Sequence, residues 1–159
     1  MKTALFDIDG TLADIEHRRV YLNENPPNWK KFNSLMGLDT PNYPIVRLYN
    51  TLWKSAEYNI ELITGRNEEF RQITEQWLVW NEIPFKKIHM RKDKDNRADH
   101  IIKKEILDEL TRTGYDIEIV VDDRQQVVDM WRANGITCAY SAPRETSKLI
   151  GYDCDYQAL

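Results

Sequence analysis

Six residues of the chain have types and spacings that together could transfer a phosphoryl group. Asp7 and Asp9 flank a single residue, directly after the apolar run Thr3-Ala4-Leu5-Phe6 and directly before Gly10. Thr64 ends a second apolar run and opens Thr64-Gly65-Arg66. Lys103 sits in an amphipathic stretch, and Asp122-Asp123-Arg124 follows the run Ile117 to Val121. Carboxylates gathered at one place raise one another's pKa unless a cation joins them. All-oxygen donors select a hard ion, and Mg2+ takes a few carboxylates together with water and phosphate oxygens. The set therefore implies Mg2+ and a phosphorylated ligand. Lys103 would neutralise the aspartates and the phosphate, while Thr64 and nearby backbone N–H groups would bond phosphate oxygens. Asp7 is placed to attack phosphorus and form an aspartyl-phosphate. Asp9 would protonate the leaving oxygen and then take a proton from the attacking water.

Singly, these motifs are ordinary. A DxD occurs in many loops, TGR is commonly a turn, Lys103 alone reads as a solvated helix lysine, and Asp123 would suit a helix N-cap. Their order along the chain carries the argument, because each falls at an expected strand end or in the helix that follows one. Strands are expected at 3–6, 59–64, 85–90, 117–121 and 136–140. Helices are expected at 44–58, at 67–80 (opened by Asn67), at 98–112 (followed by Gly114) and at 124–134 (closed by Gly135). This alternation predicts an α/β fold: a three-layer, Rossmann-like sandwich with a mainly parallel sheet and helices on both faces. Ligands of such sheets bind beyond the carboxyl ends of the strands, where all these residues gather. The first connection departs from the pattern. Residues 14–43 are too long for a structureless loop, and they read as a small helical insert, a lid over the strand ends.

The chain has 159 residues and a net charge of −4, which fits one domain and excludes a general polyanion binder. Residues 86–104 nevertheless hold eight basic and three acidic side chains, a local stripe suited to a polynucleotide end. Trp29 or Phe32 in the insert could stack on a terminal base. No apolar run reaches the ~20 residues of a membrane span, and Met1-Lys2-Thr3 leads straight into a strand, so neither a membrane segment nor a signal peptide is expected. Cys138 and Cys154 make no disulfide framework and no zinc spacing, which suits reduced thiols and a cytoplasmic location.

The order of motifs resembles the haloacid dehalogenase (HAD) superfamily of phosphotransferases. Phe6-Asp7-Ile8-Asp9-Gly10-Thr11-Leu12 matches its first motif, Thr64 its second, Lys103 its third and Asp122-Asp123 its fourth. The resemblance implies Asp7 as nucleophile, Asp9 as acid/base, and Mg2+ bound by Asp7, the Asp9 carbonyl and the Asp122/Asp123 pair. Within the superfamily, Asp122 through Arg132 and Arg91 through Glu105 look like the 3′-phosphatase domain of phage polynucleotide kinase/phosphatase. That resemblance adds Arg18, Gly65, Arg66, Arg91 and Asp99 as substrate- or phosphate-binding residues, with Asp99 and Lys103 paired on one helix face and Arg18 and Arg66 clamping a phosphate.

The implied activity is removal of terminal 3′-phosphates from RNA or DNA in end repair, the substrate being 3′-phosphorylated ends. The alternative is a 5′(3′)-deoxyribonucleotidase or other nucleotide monophosphatase acting on free nucleotides. None of the six glycines precedes a lysine, so no GxxxxGK[ST] phosphate loop exists and a kinase or ligase would be a separate partner. A receiver domain carries its acidic pair first rather than last, and a silent nucleic-acid-binding module would not depend on the aspartates.

Overall fold

The computed structural model describes residues 1–141. In chain order the elements are β1 (Lys2–Asp7), β2 (Ala13–Asp14), α1 (Glu16–Arg19), α2 (Trp29–Ser34), β3 (Thr40–Pro41) and α3 (Tyr43–Ser55). They continue with β4 (Asn59–Asn67), α4 (Arg71–Trp80), β5 (Ile88–Arg91), α5 (Asp99–Arg112), β6 (Asp116–Asp122), α6 (Gln125–Ala133) and β7 (Thr137–Tyr140). Five strands form one sheet in the order β5-β4-β1-β6-β7, every neighbouring pair parallel. The expectations for Cys154 and for the segment after Pro143 fall outside the described residues.

Alternation along the central strands separates two cores. Ala4, Phe6, Ile60 and Leu62 pack with Val46 and Tyr49 of α3 and with Trp77 and Leu78 of α4. Leu5, Ile63 and Val120 pack on the opposite face with Leu107 and Leu110 of α5 and with Val127, Val128 and Trp131 of α6. The central strands are thus covered on both faces, as their near-continuous apolar runs require. From β1 the chain moves outward through β4 to β5, then returns past β1 to β6 and β7. The reversal leaves the switch point between β1 and β6, where ligands of such sheets bind.

Residues 14–43 fold largely as the expected helical insert. A two-residue antiparallel pair, Ala13 against Pro41 and Asp14 against Thr40, ties its ends together. Phe32 and Met36 are buried beneath it. The second strand differs from expectation. β4 continues through Thr64-Gly65-Arg66 to Asn67, because its pairing with β5 is interrupted after Ile63 and resumes at Asn67 opposite Arg91. Asn67 is therefore extended and makes no side-chain cap; a 3-10 turn, Glu68–Phe70, leads into α4.

Candidate active site

Asp7, the last residue of β1, and Asp122, the last of β6, meet across the switch point. Lys103, on the second turn of α5, reaches between them. Its Nζ donates to Asp7 Oδ1 and to Asp122 Oδ2, both at 2.7 Å, and lies 3.4 Å from Asp99 Oδ2. Asp99 and Lys103 are four residues apart on one helix, so the expected pairing is present. Burial alone would strip the Lys103 proton, but Asp7, Asp122 and Asp99 outweigh it and hold the amine charged well above its ordinary value. Asp122 is fixed further by the Arg124 backbone N–H and by the Trp131 indole.

One carboxylate oxygen from each of Asp7, Asp122 and Asp123 lies within 4.8 Å of the others. Burial, opposed by Lys103 and reinforced by Asp122 and Asp123, raises the Asp7 carboxyl well above its ordinary value. Burial and then Asp122 push Asp123 up to about 6. Asp123 Oδ1 is buried without a hydrogen-bond partner among the described residues. Three buried carboxylates share Lys103, with only the half-exposed Arg19 among the described residues reaching Asp123, at 3.5 Å, and a hard divalent cation fits that donor set. Asp123 is accordingly not the helix cap its position suggested: the N-cap of α6 is Arg124, and no side chain caps it. Gly10 adopts φ +85°, and a Cβ there would fall on the Asp123 carboxylate, so this turn after Asp9 requires glycine.

Asp9 sits in a separate cluster. Arg18 Nη2 donates to Asp9 Oδ1 at 2.7 Å, and Arg66 Nε donates to both carboxylate oxygens at 3.1 and 3.2 Å. The two arginines in turn share Asp39. Burial alone would raise Asp9, but Arg66 and Arg18 overcome it and hold the carboxyl well below its usual range. The two arginines expected to clamp a phosphate here meet carboxylates of the protein. Both guanidiniums are almost fully buried and turned to Asp9 and Asp39, and Arg18 Nη1 has no hydrogen-bond partner among the described residues. Asp39 lacked any recognisable motif in Leu38-Asp39-Thr40; only the fold of the insert brings it here.

The turn after Ile63 is built tightly. Thr64 is fully buried, and its Oγ1 accepts from the Arg66 backbone N–H. A Cβ on Gly65 would fall on Asp99 Oδ1. Arg91, expected to bind substrate, spans neighbouring backbone in this structure. Its Nε donates to the Gly65 carbonyl at 2.8 Å, its Nη1 to the carbonyls of Asp95 and Arg97, and its Nη2 approaches Asp99 Oδ1. Arg91 and Asp99 thus join the β4 turn to the start of α5 and hold Lys103 in place.

The basic stripe at 86–104 is broken up by the fold. Arg97 pairs with Asp95 and Glu105, and Lys104 with Asp108. Lys86 and Lys87 precede β5, at the edge of the sheet opposite the aspartates, and lie over Trp53 and Tyr115. Lys92 and Lys94 remain without an ion pair among the described residues. No helix among those residues is long and apolar enough to cross a membrane.

Residues 1–144 match the family described as the polynucleotide kinase PNKP phosphatase domain. A chain of the Pnkp1/Rnl/Hen1 RNA repair complex is similar over 87% of this chain and 45% of its own, with TM-score 0.75 and 34% identity. A protein of Autographa californica nuclear polyhedrosis virus, described as a bifunctional polynucleotide kinase/RNA ligase, is 25% identical over 91% of this chain and 20% of its own. A β-phosphoglucomutase-like protein from Thermotoga maritima shares the fold at TM-score 0.56 and 18% identity. The chain spans less than half the length of the repair-complex and viral relatives. With its parallel sheet and the aspartates gathered at its carboxyl edge, the chain belongs to the polynucleotide kinase PNKP phosphatase domain family, within the HAD hydrolases.

Proposed function

We propose that the chain is a Mg2+-dependent polynucleotide 3′-phosphatase that removes terminal 3′-phosphates from RNA or DNA through an aspartyl-phosphate. The observation that carries this reading is the pairing of Asp7 with Lys103 beside Asp122 and Asp123, at the switch point of a fold belonging to the PNKP phosphatase family. A carboxylate of Asp7 attacks phosphorus and the bond to the 3′-oxygen breaks. The 3′-oxygen takes a proton from Asp9. Water then attacks the phosphorus, the bond to Asp7 breaks, inorganic phosphate leaves, and Asp9 takes the proton of the water. Arg18 and Arg66 hold Asp9 as the anion that this second step requires. Donation in the first step requires them to loosen their grip, and an incoming phosphate competes for the same cations.

Asp7, Asp122, Asp123 and the Asp9 carbonyl would hold the Mg2+, whose charge would screen the phosphate and offset the mutual repulsion of the carboxylates. Lys103 keeps Asp7 oriented and neutralises charge gathered on the phosphate. End repair is the setting we infer, since the repair-complex and viral relatives combine with, or carry, kinase and ligase modules. A kinase or ligase is then the partner. Cys138, buried and with no disulfide among the described residues, suits a reducing cytoplasm.

Phosphate release measured with and without Mg2+ tests the reading. The substrates are a 3′-phosphorylated oligonucleotide, its 5′-phosphorylated counterpart, and free 3′- and 5′-nucleotides. Mg2+-dependent preference for the 3′-phosphorylated oligonucleotide is expected. Preference for free nucleotides would move the protein to nucleotide metabolism.

A further inference from the structure

The insert carries a chain of contacts from Asp9 to the protein surface. Arg18, fully buried, donates to Asp9 and lies 4.2 Å from the centre of the Phe32 ring. Phe32 is itself buried and meets Trp29 edge to face, with ring centres 5.8 Å apart at 86°. Trp29 ends this chain and is 55% exposed. Its position is set from below by Phe32 and from the side by Asn28, whose side chain accepts from the Lys31 backbone N–H and fixes the start of α2. A large aromatic held this way at the surface is already ordered, so stacking on it costs little further side-chain entropy.

Its surroundings are cationic. Lys30 and Lys31 are exposed beside it in α2. Arg19, next to Arg18 in α1, is half-exposed but already paired, 2.8 Å from Glu16 and 3.5 Å from Asp123. The buried arginines are occupied by Asp9 and Asp39, and the 86–104 stripe is mostly paired or at the wrong edge of the sheet. This face of the insert therefore offers an exposed aromatic bordered by exposed lysines, joined through Phe32 and Arg18 to Asp9. An aromatic platform bordered by cations is the pattern that holds single-stranded nucleic acid.

We propose that Trp29 is the stacking platform for the base of the terminal nucleotide whose 3′-phosphate is removed, with Lys30 facing its backbone. This rests on the 3′-phosphatase reading and adds the residue that selects a polynucleotide end over a bare phosphomonoester. Phe32, the other aromatic the sequence offers, is excluded by its burial; it supports Trp29 and contacts no base.

The test compares two oligonucleotides of one sequence, each with a 3′-phosphate. One ends in a normal nucleotide and the other in an abasic one. Trp29→Ala is expected to raise KM for the base-bearing end by about 10-fold with kcat unchanged, and Trp29→Phe to retain most of the affinity. On the abasic end, wild type and Trp29→Ala should have the same KM. An unchanged KM on the base-bearing end would overturn the platform. So would an equal loss on both ends, which would mark Trp29 as packing alone. Failure of the wild type on both oligonucleotides would overturn the substrate reading and the platform with it.

Discussion

Asp39 holds Arg18 with two hydrogen bonds, from Nε to Oδ1 and from Nη2 to Oδ2, each 2.7 Å. Both side chains are fully buried, and the same Arg18 Nη2 also reaches Asp9. Arg66 repeats the bridge, with its Nη2 3.1 Å from Asp39 Oδ2. Asp39 lies in the insert, Asp9 just beyond β1 and Arg66 in β4, so one buried carboxylate joins the insert to the sheet. Asp39→Asn would leave two buried guanidiniums with Asp9 as their remaining carboxylate partner. Removing one partner from a buried pair costs about 3–5 kcal/mol. The unfolding midpoint in urea should fall by a corresponding amount, and turnover should fall with it as Asp9 loses its fixed position.

Arg66 sets the protonation of Asp9. Removing a cation that holds a carboxyl low raises its pKa, so in Arg66→Gln the base form of Asp9 persists only at higher pH. The acid limb of the pH profile of kcat should therefore move to higher pH relative to wild type. An unshifted limb accompanied by uniform loss of rate would mean that Arg66 serves structure alone.

Asp123 connects metal binding to stability. Its folded-state carboxyl is raised to about 6, above its unfolded value. The folded state therefore binds this proton more tightly than the unfolded chain, and the metal-free protein loses stability from this group as pH rises from about 4 to about 6. Asp123→Asn should remove that loss and raise the melting temperature of the chelated protein at pH 7.5. Added Mg2+ should stabilise the wild type at that pH and leave the variant unmoved. Differential scanning fluorimetry with EDTA and with Mg2+ reads both effects.

Lys86 and Lys87 lie at the edge of the sheet away from Asp7. Replacing both by Gln should leave KM for an oligonucleotide 3′-phosphate, and its dependence on salt, unchanged. A reduced salt slope would show that phosphates reach that edge.

Much of the site was legible because its parts are local. Asp7 and Asp9 flank one residue at the end of an apolar run, Asp122 and Asp123 follow another, and parallel strands bring such ends to one edge without further information. Lys103 was legible for the same reason, as part of the helix that follows β5. The alternation of strands and helices determined the layers, since each apolar face needs cover.

What the linear chain left open were the partners of long side chains. Arg18, Arg66 and Arg91 appear in the sequence as free cations with several possible targets, and only packing decides which acceptor each one meets. Asp39 is a single carboxylate in a turn-rich insert, with no period and no neighbour to mark it. The basic stripe was a sum over sequence, whereas a surface is a sum over space: ion pairing with Asp95, Glu105 and Asp108 cancels part of it, and strand direction carries Lys86 and Lys87 to the far edge. Backbone order is set by local patterns of apolar and turn residues. The tertiary structure alone decided which charges neutralise one another and which remain for a ligand.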